Sequence, residues 1–187
     1  WEEALAQQPA TPIADEQAGE QMLYSSGTTG RPKGVLPAWQ PGKPAVEPSP
    51  LVASLSALFK IDENTVYLSP APLYHAAPLI YNTVVMFMGG TSIIMEKFDA
   101  EKSLELIEKY RITHSQWVPI MFIRMLKLPE EVRNKYDHSS MRFAIHAAAP
   151  CPQEVKEQMI AWWGKIIWEY YSSTEGTGMT IVNSEQW

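Results

Sequence analysis

One cysteine, Cys151, is all the thiol that this 187-residue chain carries, so no disulfide can close within it. A reducing, cytoplasmic setting is the expectation that follows. Clustered positive charge is missing too. With 15 Lys and Arg against 21 Asp and Glu the formal net charge is −6, which argues against a broad nucleic-acid surface, because phosphate backbones reward massed Lys and Arg. Long apolar runs are absent. The longest, Ala76–Met88, is interrupted by Pro78, Asn82 and Thr83; it is too short to span a bilayer and reads as a buried helix. The opening Trp1-Glu-Glu-Ala4 has no basic region followed by an apolar core, so no secretory leader is expected there. No His/Cys/Asp group has transition-metal spacing, and no internal repeat is visible. What is present is an ordinary globular composition, 45% hydrophobic and 19% charged, enough for one sizeable domain or a piece of a larger one.

Residues 1–19 are polar, rich in Ala, Gln and Glu, with Pro9 and Pro12, and read as a linker-like tail. A second irregular stretch, Leu36–Pro50, carries prolines at 37, 41, 44, 48 and 50 and reads as an exposed loop. From Pro50 onward short β-prone runs alternate with helical ones. Helices are predicted over Leu51–Phe59, His75–Met88 (ending at Gly89-Gly90), Asp99–Tyr110 with Asp99 as N-cap, the segment opening at Pro119, and Pro152–Trp163 closed by Gly164. Strands are predicted over Thr65–Ser69, Thr91–Met95, His114–Val118, Arg142–His146 and Ile166–Tyr170, the last clear one. This spacing of βαβ units implies an α/β fold, a mostly parallel sheet flanked by helices on both faces. Ligands of such sheets gather beyond the carboxyl ends of the strands. That rule singles out Ser25–Gly34, Pro70–His75, Ala147–Pro150 and Tyr171–Gly178.

The most informative stretch is Tyr24-Ser-Ser-Gly-Thr-Thr-Gly-Arg-Pro-Lys-Gly-Val35. Gly27, Gly30 and Gly34 let backbone turn and approach a ligand, Ser25, Ser26, Thr28 and Thr29 supply hydroxyls, and Lys33 supplies a mobile ammonium. Exposed amides in such a turn make an anion-binding concavity. It is not a Walker loop, since Lys33 follows Pro32 and precedes Gly34, and no G-x-G-x-x-G fingerprint exists. Composition alone favours a flexible surface loop, since Ser, Thr and Gly are common in linkers; the order of the residues turns the reading toward phosphate.

That order resembles the signature loop of the adenylate-forming enzymes, which include acyl-CoA synthetases, luciferases and peptide-synthetase adenylation domains. The likeness continues through Pro72-Leu-Tyr-His75, the small-residue run Ala147-Ala-Ala-Pro150 and Tyr171-Ser-Ser-Thr-Glu175, and covers about residues 20–187. Within the family, His146–Cys151 followed by Glu169-Tyr-Tyr171 looks most like fatty-acyl-CoA synthetases. The resemblance implies part of the large ATP-binding domain of an enzyme that activates a carboxylic acid with ATP and passes the acyl group to CoA. Ser25, Ser26, Gly27, Thr28, Thr29, Gly30 and Lys33 would hold the β- and γ-phosphates. Thr174 would meet the α-phosphate, and Glu175 would bind Mg²⁺. Tyr171 would stack on adenine opposite Ala147, Ala148, Ala149 and Pro150, with His146, Glu169, Tyr170 and Ser172 completing the nucleotide site. His75 would lie near the acyl carboxylate. Its partners would thus be a small carboxylic acid and CoA.

Bland readings stand beside these. Glu175 could be a solvated charge, Tyr170 and Tyr171 could be core, and His75 could be a helix cap; His114 and His146 read as structural. Cys151, at a predicted helix start where a thiol pKa can fall, lacks a partnered base and reads as a cap. Trp117–Leu128 reads as core in preference to an acyl pocket. Ser25, Ser172 and Ala147-Ala148 depart mildly from the family pattern, where Thr, Gly and Gly are usual, and the prolines of 36–50 depart more. The family's ribose-binding Asp, hinge and catalytic Lys have no counterpart here, so the chain resembles a central fragment that would not complete catalysis alone. A non-catalytic nucleotide-binding or interaction module, or an adenylation domain serving a carrier protein, are the alternatives.

Overall fold

The computed structural model describes residues 1–25, 30–37 and 41–187. They form two compact units, Trp1–Pro50 and Leu51–Trp187.

The first unit holds an exposed helix, α1 (Glu2–Ala6), and an antiparallel hairpin of β1 (Leu23–Ser25) and β2 (Lys33–Val35). Register is Leu23 with Val35, Tyr24 with Gly34 and Ser25 with Lys33. Gly34 lies under Tyr24; a Cβ there would come within 3.3 Å of the Tyr24 ring and of Met22 Sδ, so a side chain at this position would push these two exposed groups aside by a few tenths of an ångström. The Ala18 amide donates to Lys43 O at 2.8 Å and the Gly42 amide to Gln17 Oε1 at 3.0 Å, tying the segment before the hairpin to the proline-rich loop.

The second unit begins with α2 (Pro50–Phe59) and proceeds through β3 (Val66–Ser69), α3 (Ala76–Phe87), β4 (Thr91–Ile94), α4 (Ala100–Tyr110), β5 (His114–Trp117), α5 (Pro119–Leu126), α6 (Glu130–Arg133), β6 (Phe143–His146), α7 (Gln153–Trp163), β7 (Ile167–Ser172) and β8 (Met179–Asn183). The sheet order is β4-β3-β5-β6-β7-β8. All neighbours are parallel except β8, which runs antiparallel to β7.

Right-handed crossovers explain the layering. The chain steps one way from β3 to β4 and the other way from there to β5, β6 and β7, so α3 must lie on the face opposite α4, α5 and α7. Strand alternation follows suit. On β6, Phe143 and Ile145 join Phe59, Tyr67, Tyr81 and Val85 on the α2/α3 face. Ala144 faces the other cluster, with Trp117, Phe122, Met159 and Trp163. The segment from Trp117 to Leu126 contributes Trp117, Met121, Phe122 and Met125 to this core, as its core reading expects, while Ile120 stays exposed. His114 is structural as well. Its Nε2 lies 2.8 Å from Phe59 O, and its ring stacks on Phe143 at 4.9 Å.

The expected helices on both faces of a mostly parallel sheet are all present, with boundaries within two residues of expectation. Four features go beyond the sequence reading: α1, a short helix inside the stretch 1–19 read as a linker-like tail, the β1–β2 hairpin, α6 and β8. Ser25–Gly34 does not follow a strand of the parallel sheet as expected; its described residues lie in the hairpin. Among the described residues no helix is long and apolar enough to cross a membrane.

Candidate functional site

Three of the loops that the sequence singled out leave carboxyl ends of the sheet in the second unit. The first, Pro70–His75, follows β3. His75 takes the N-cap position of α3 with extended backbone, yet its side chain makes no capping hydrogen bond. Its ring packs on Tyr74, with centroids 4.5 Å apart. Beneath it, Asn82 Nδ2 donates to Ser69 Oγ at 2.8 Å and to Pro78 O at 2.7 Å, fixing the start of α3 to the end of β3. The imidazole is therefore presented by a cap position without being used up as a cap.

The second and third loops lie side by side, because β6 and β7 are neighbours with His146 opposite Glu169 in register. After His146 the chain turns through Ala147, Ala148, Ala149 and Pro150. Ala148 has φ 75°, the left-handed region that costs a residue with a Cβ roughly 1–2 kcal/mol. This is a tight turn with small side chains, suited to close approach by a flat ligand. β7 continues past the level of His146 to Tyr171 and Ser172. Tyr171 is 79% exposed, so it is not core, whereas Tyr170 alternates to the other face and packs 6.4 Å from Tyr81. Burial pushes the Tyr170 hydroxyl up to about 12, with a hydrogen bond from Gln116 opposing the shift.

Beyond β7 the turn to β8 is braced internally. Ser172 Oγ donates to Gly178 O at 3.0 Å, and Ser173 Oγ and Thr177 Oγ1 are 2.9 Å apart. Gly176 and Gly178 take φ 70° and 130°, which glycine alone adopts freely. The turn leaves Thr174 half-buried and Glu175 exposed. No group of three or more His, Cys, Asp and Glu side chains is placed to hold a metal among the described residues. Glu175 is a lone carboxylate, which suits a hard cation that takes one protein oxygen and completes its shell with phosphate and water.

Behind the second loop stands an ionic cluster. Lys156 of α7 reaches Glu169 Oε2 at 2.5 Å, and His146 Nε2 lies 3.9 Å from the same oxygen. His146 is fully buried, with its ring edge against Phe122 at 5.6 Å and neither ring nitrogen hydrogen-bonded. Burial draws its pKa down to about 4, with the Glu169 carboxylate pulling the other way and Lys156 adding to the fall. Cys151 corrects a sequence expectation. Pro152, not Cys151, is the N-cap of α7, and burial raises the thiol pKa, so it is no activated nucleophile.

The structure thus brings together His146, Ala147–Pro150, Glu169, Tyr171, Ser172, Thr174 and Glu175 on adjacent strand ends. His75 stands at the end of β3, separated from β6 by β5. In the first unit Ser25 and Lys33 face each other across the hairpin and Gly30 is exposed; Ser26, Gly27, Thr28 and Thr29 lie outside the described residues. Sequence reasoning did not find Lys156. The available signal was its place on the apolar stripe of α7, with Met159 and Trp163 three and seven residues on.

Comparison with known proteins adds to this geometry. 4-Coumarate–CoA ligase 1 of Petroselinum crispum is 35% identical over 148 residues, 74% of this chain and 25% of that protein. The inhibitor-bound N-terminal domain of FACL13 from Mycobacterium tuberculosis superposes with TM-score 0.78 at 29% identity, covering 98% of this chain and 45% of that one. ATP-bound MatB from Rhodopseudomonas palustris superposes with TM-score 0.69 at 28% identity, covering 87% and 30%. The chain spans about a quarter of the length of the curated relatives it matches. The AMP-binding enzyme family matches residues 1–187 from end to end, and the chain belongs to that family.

Proposed function

We propose that the whole protein activates a carboxylic acid with ATP and transfers the acyl group to CoA. The observation that carries this reading is the small-residue turn Ala147–Pro150 beside the exposed Tyr171 ring, at the ends of β6 and β7. That is a slot for a flat base, with Thr174 and Glu175 following directly on the chain.

A carboxylate is a poor electrophile because its charge is shared by two oxygens. One of them attacks the α-phosphorus of ATP, the bond to the bridging oxygen breaks, and pyrophosphate leaves. The CoA thiol then attacks the acyl carbon of the mixed anhydride and AMP departs. The first step crowds anions, so it needs positive groups placed beforehand. In this proposal Ser25–Gly30 and Lys33 grip the β- and γ-phosphates, and Thr174 donates to the α-phosphate. Tyr171 stacks on adenine, and His75 meets the acyl carboxylate. Glu175 holds Mg²⁺, which supplies charge neutralisation of the phosphates when bound. Residues 20–187 are then part of an adenylation domain with its proline-rich loop at 36–50, preceded by a linker-like lead-in over 1–19. The unpaired Cys151 suits a cytoplasmic setting.

A fatty acid is the acid we infer, from the likeness of His146–Cys151 and Glu169–Tyr171 to fatty-acyl-CoA synthetases. The similarity to 4-coumarate–CoA ligases favours a second reading, an aromatic acid. ATP–pyrophosphate exchange by the full-length protein, run against short, long and aromatic acids, separates them. Exchange with aliphatic acids supports the first reading and exchange with aryl acids alone supports the second. Exchange with none points to a module that has lost its chemistry. The 187-residue chain on its own should give no exchange.

A further inference from the structure

α7 carries a lysine where its packing asks for an apolar side chain. Lys156 is 1% exposed and shares the buried stripe of Met159 and Trp163. A buried ammonium is costly unless an opposite charge meets it. Glu169 does so, and the Trp187 ring covers the ammonium at 4.6 Å from Nζ to centroid. The pairing also orients the carboxylate. Lys156 and His146 both approach Oε2, which leaves Oε1 without a hydrogen bond among the described residues, on a side chain 29% exposed. Glu169 and Tyr171 alternate onto the same face of β7. Across the ladder Glu169 pairs with His146, the residue just before the Ala147–Pro150 turn.

We propose that Lys156 is a positioning residue: by holding Oε2 of Glu169 it turns Oε1 toward the exocyclic amino group of a purine, so that the site prefers adenine nucleotides to those with oxygen at that position. The inference rests on the nucleotide site proposed above. A carboxylate offers only acceptors. The amino group of adenine satisfies one, whereas the carbonyl of hypoxanthine sets acceptor against acceptor and leaves both unpaired.

The test compares ATP with ITP in pyrophosphate exchange by the full-length protein, reading KM and kcat separately. The wild type should show a KM for ITP at least about tenfold above that for ATP, the scale of one hydrogen bond to a charged group. Glu169→Gln should reverse the preference, because Lys156 will hold the amide oxygen and turn the NH₂ toward the base, where it suits ITP. In Lys156→Met the carboxylate loses its anchor and the KM ratio should shrink. In Lys156→Met/Glu169→Gln the amide turns freely and the ratio should approach one. An unchanged ratio in Lys156→Met, with only a lower unfolding temperature, would make Lys156 a packing residue and overturn the proposal. Wild-type exchange that does not distinguish ATP from ITP would also overturn it, while leaving the acid-activation reading intact. Absence of exchange with every acid would instead remove that reading and this one with it.

Discussion

His114 and His146 are both held neutral inside the second unit, each with a pKa drawn from the ordinary 6.5 to about 4, chiefly by burial. The unfolded chain takes up protons on these imidazoles as pH falls through 6.5, but the folded chain does not until about 4. Stability is therefore flat above the upper value and falls between the two, by roughly 1.4 kcal/mol per pH unit per imidazole. The thermal unfolding midpoint should drop between pH 7 and pH 5. His114→Phe, next to Phe143, should lower the midpoint at pH 7 through the lost contact with Phe59 O, yet flatten the pH dependence. A midpoint that is level from pH 7 to pH 5 would contradict this account. At the same scale, the positions borne by short motifs were legible in the sequence, because turn chemistry is local: His75, Ala147–Pro150 and Tyr171–Glu175 sit at strand ends as read. Lys156 was not legible, since its meaning depends on a carboxylate 13 residues away on another element.

Among the elements, α4 shows how local signals fix a boundary. Asp99 takes the N-cap with extended backbone, and its carboxylate accepts from the Lys102 amide at 2.8 Å. Asp99→Ala should cost about 1 kcal/mol, read as a lower midpoint in denaturant with the slope unchanged; no change would show that tertiary packing alone sets this helix start. The five parallel strands and their crossover helices could be read for the same reason, since short β-prone runs alternate with helical stripes of Leu104/Ile107 type. β8 was missed because Met179–Asn183 follows a glycine-bearing turn and gains its identity from pairing with β7. The hairpin strands are three residues each, below the length at which periodicity says anything. α6 is a single turn, and nothing in its four residues sets it apart from a loop.

For the molecule as a whole, the doubly wound sheet decides which loops can meet. A reversal of direction at β3 and an unbroken run β5-β6-β7 place the Ala147–Pro150 turn beside Tyr171, and ligands of such sheets collect at these strand ends. Family membership fits that arrangement, while the acid, the acceptor thiol and the residue roles are the proposals made above. The most direct test of the central claim is a double-mutant cycle on ATP–pyrophosphate exchange by the full-length protein with its best acid. Lys33→Ala and Glu175→Ala should each slow exchange by roughly 10²–10³-fold, the scale of losing one preorganised electrostatic group. If both serve one triphosphate, the double variant should lose less than the product of the two single losses. Unchanged exchange in the single variants would contradict the claim that a lysine of the phosphate loop and a carboxylate after β7 act in the same reaction.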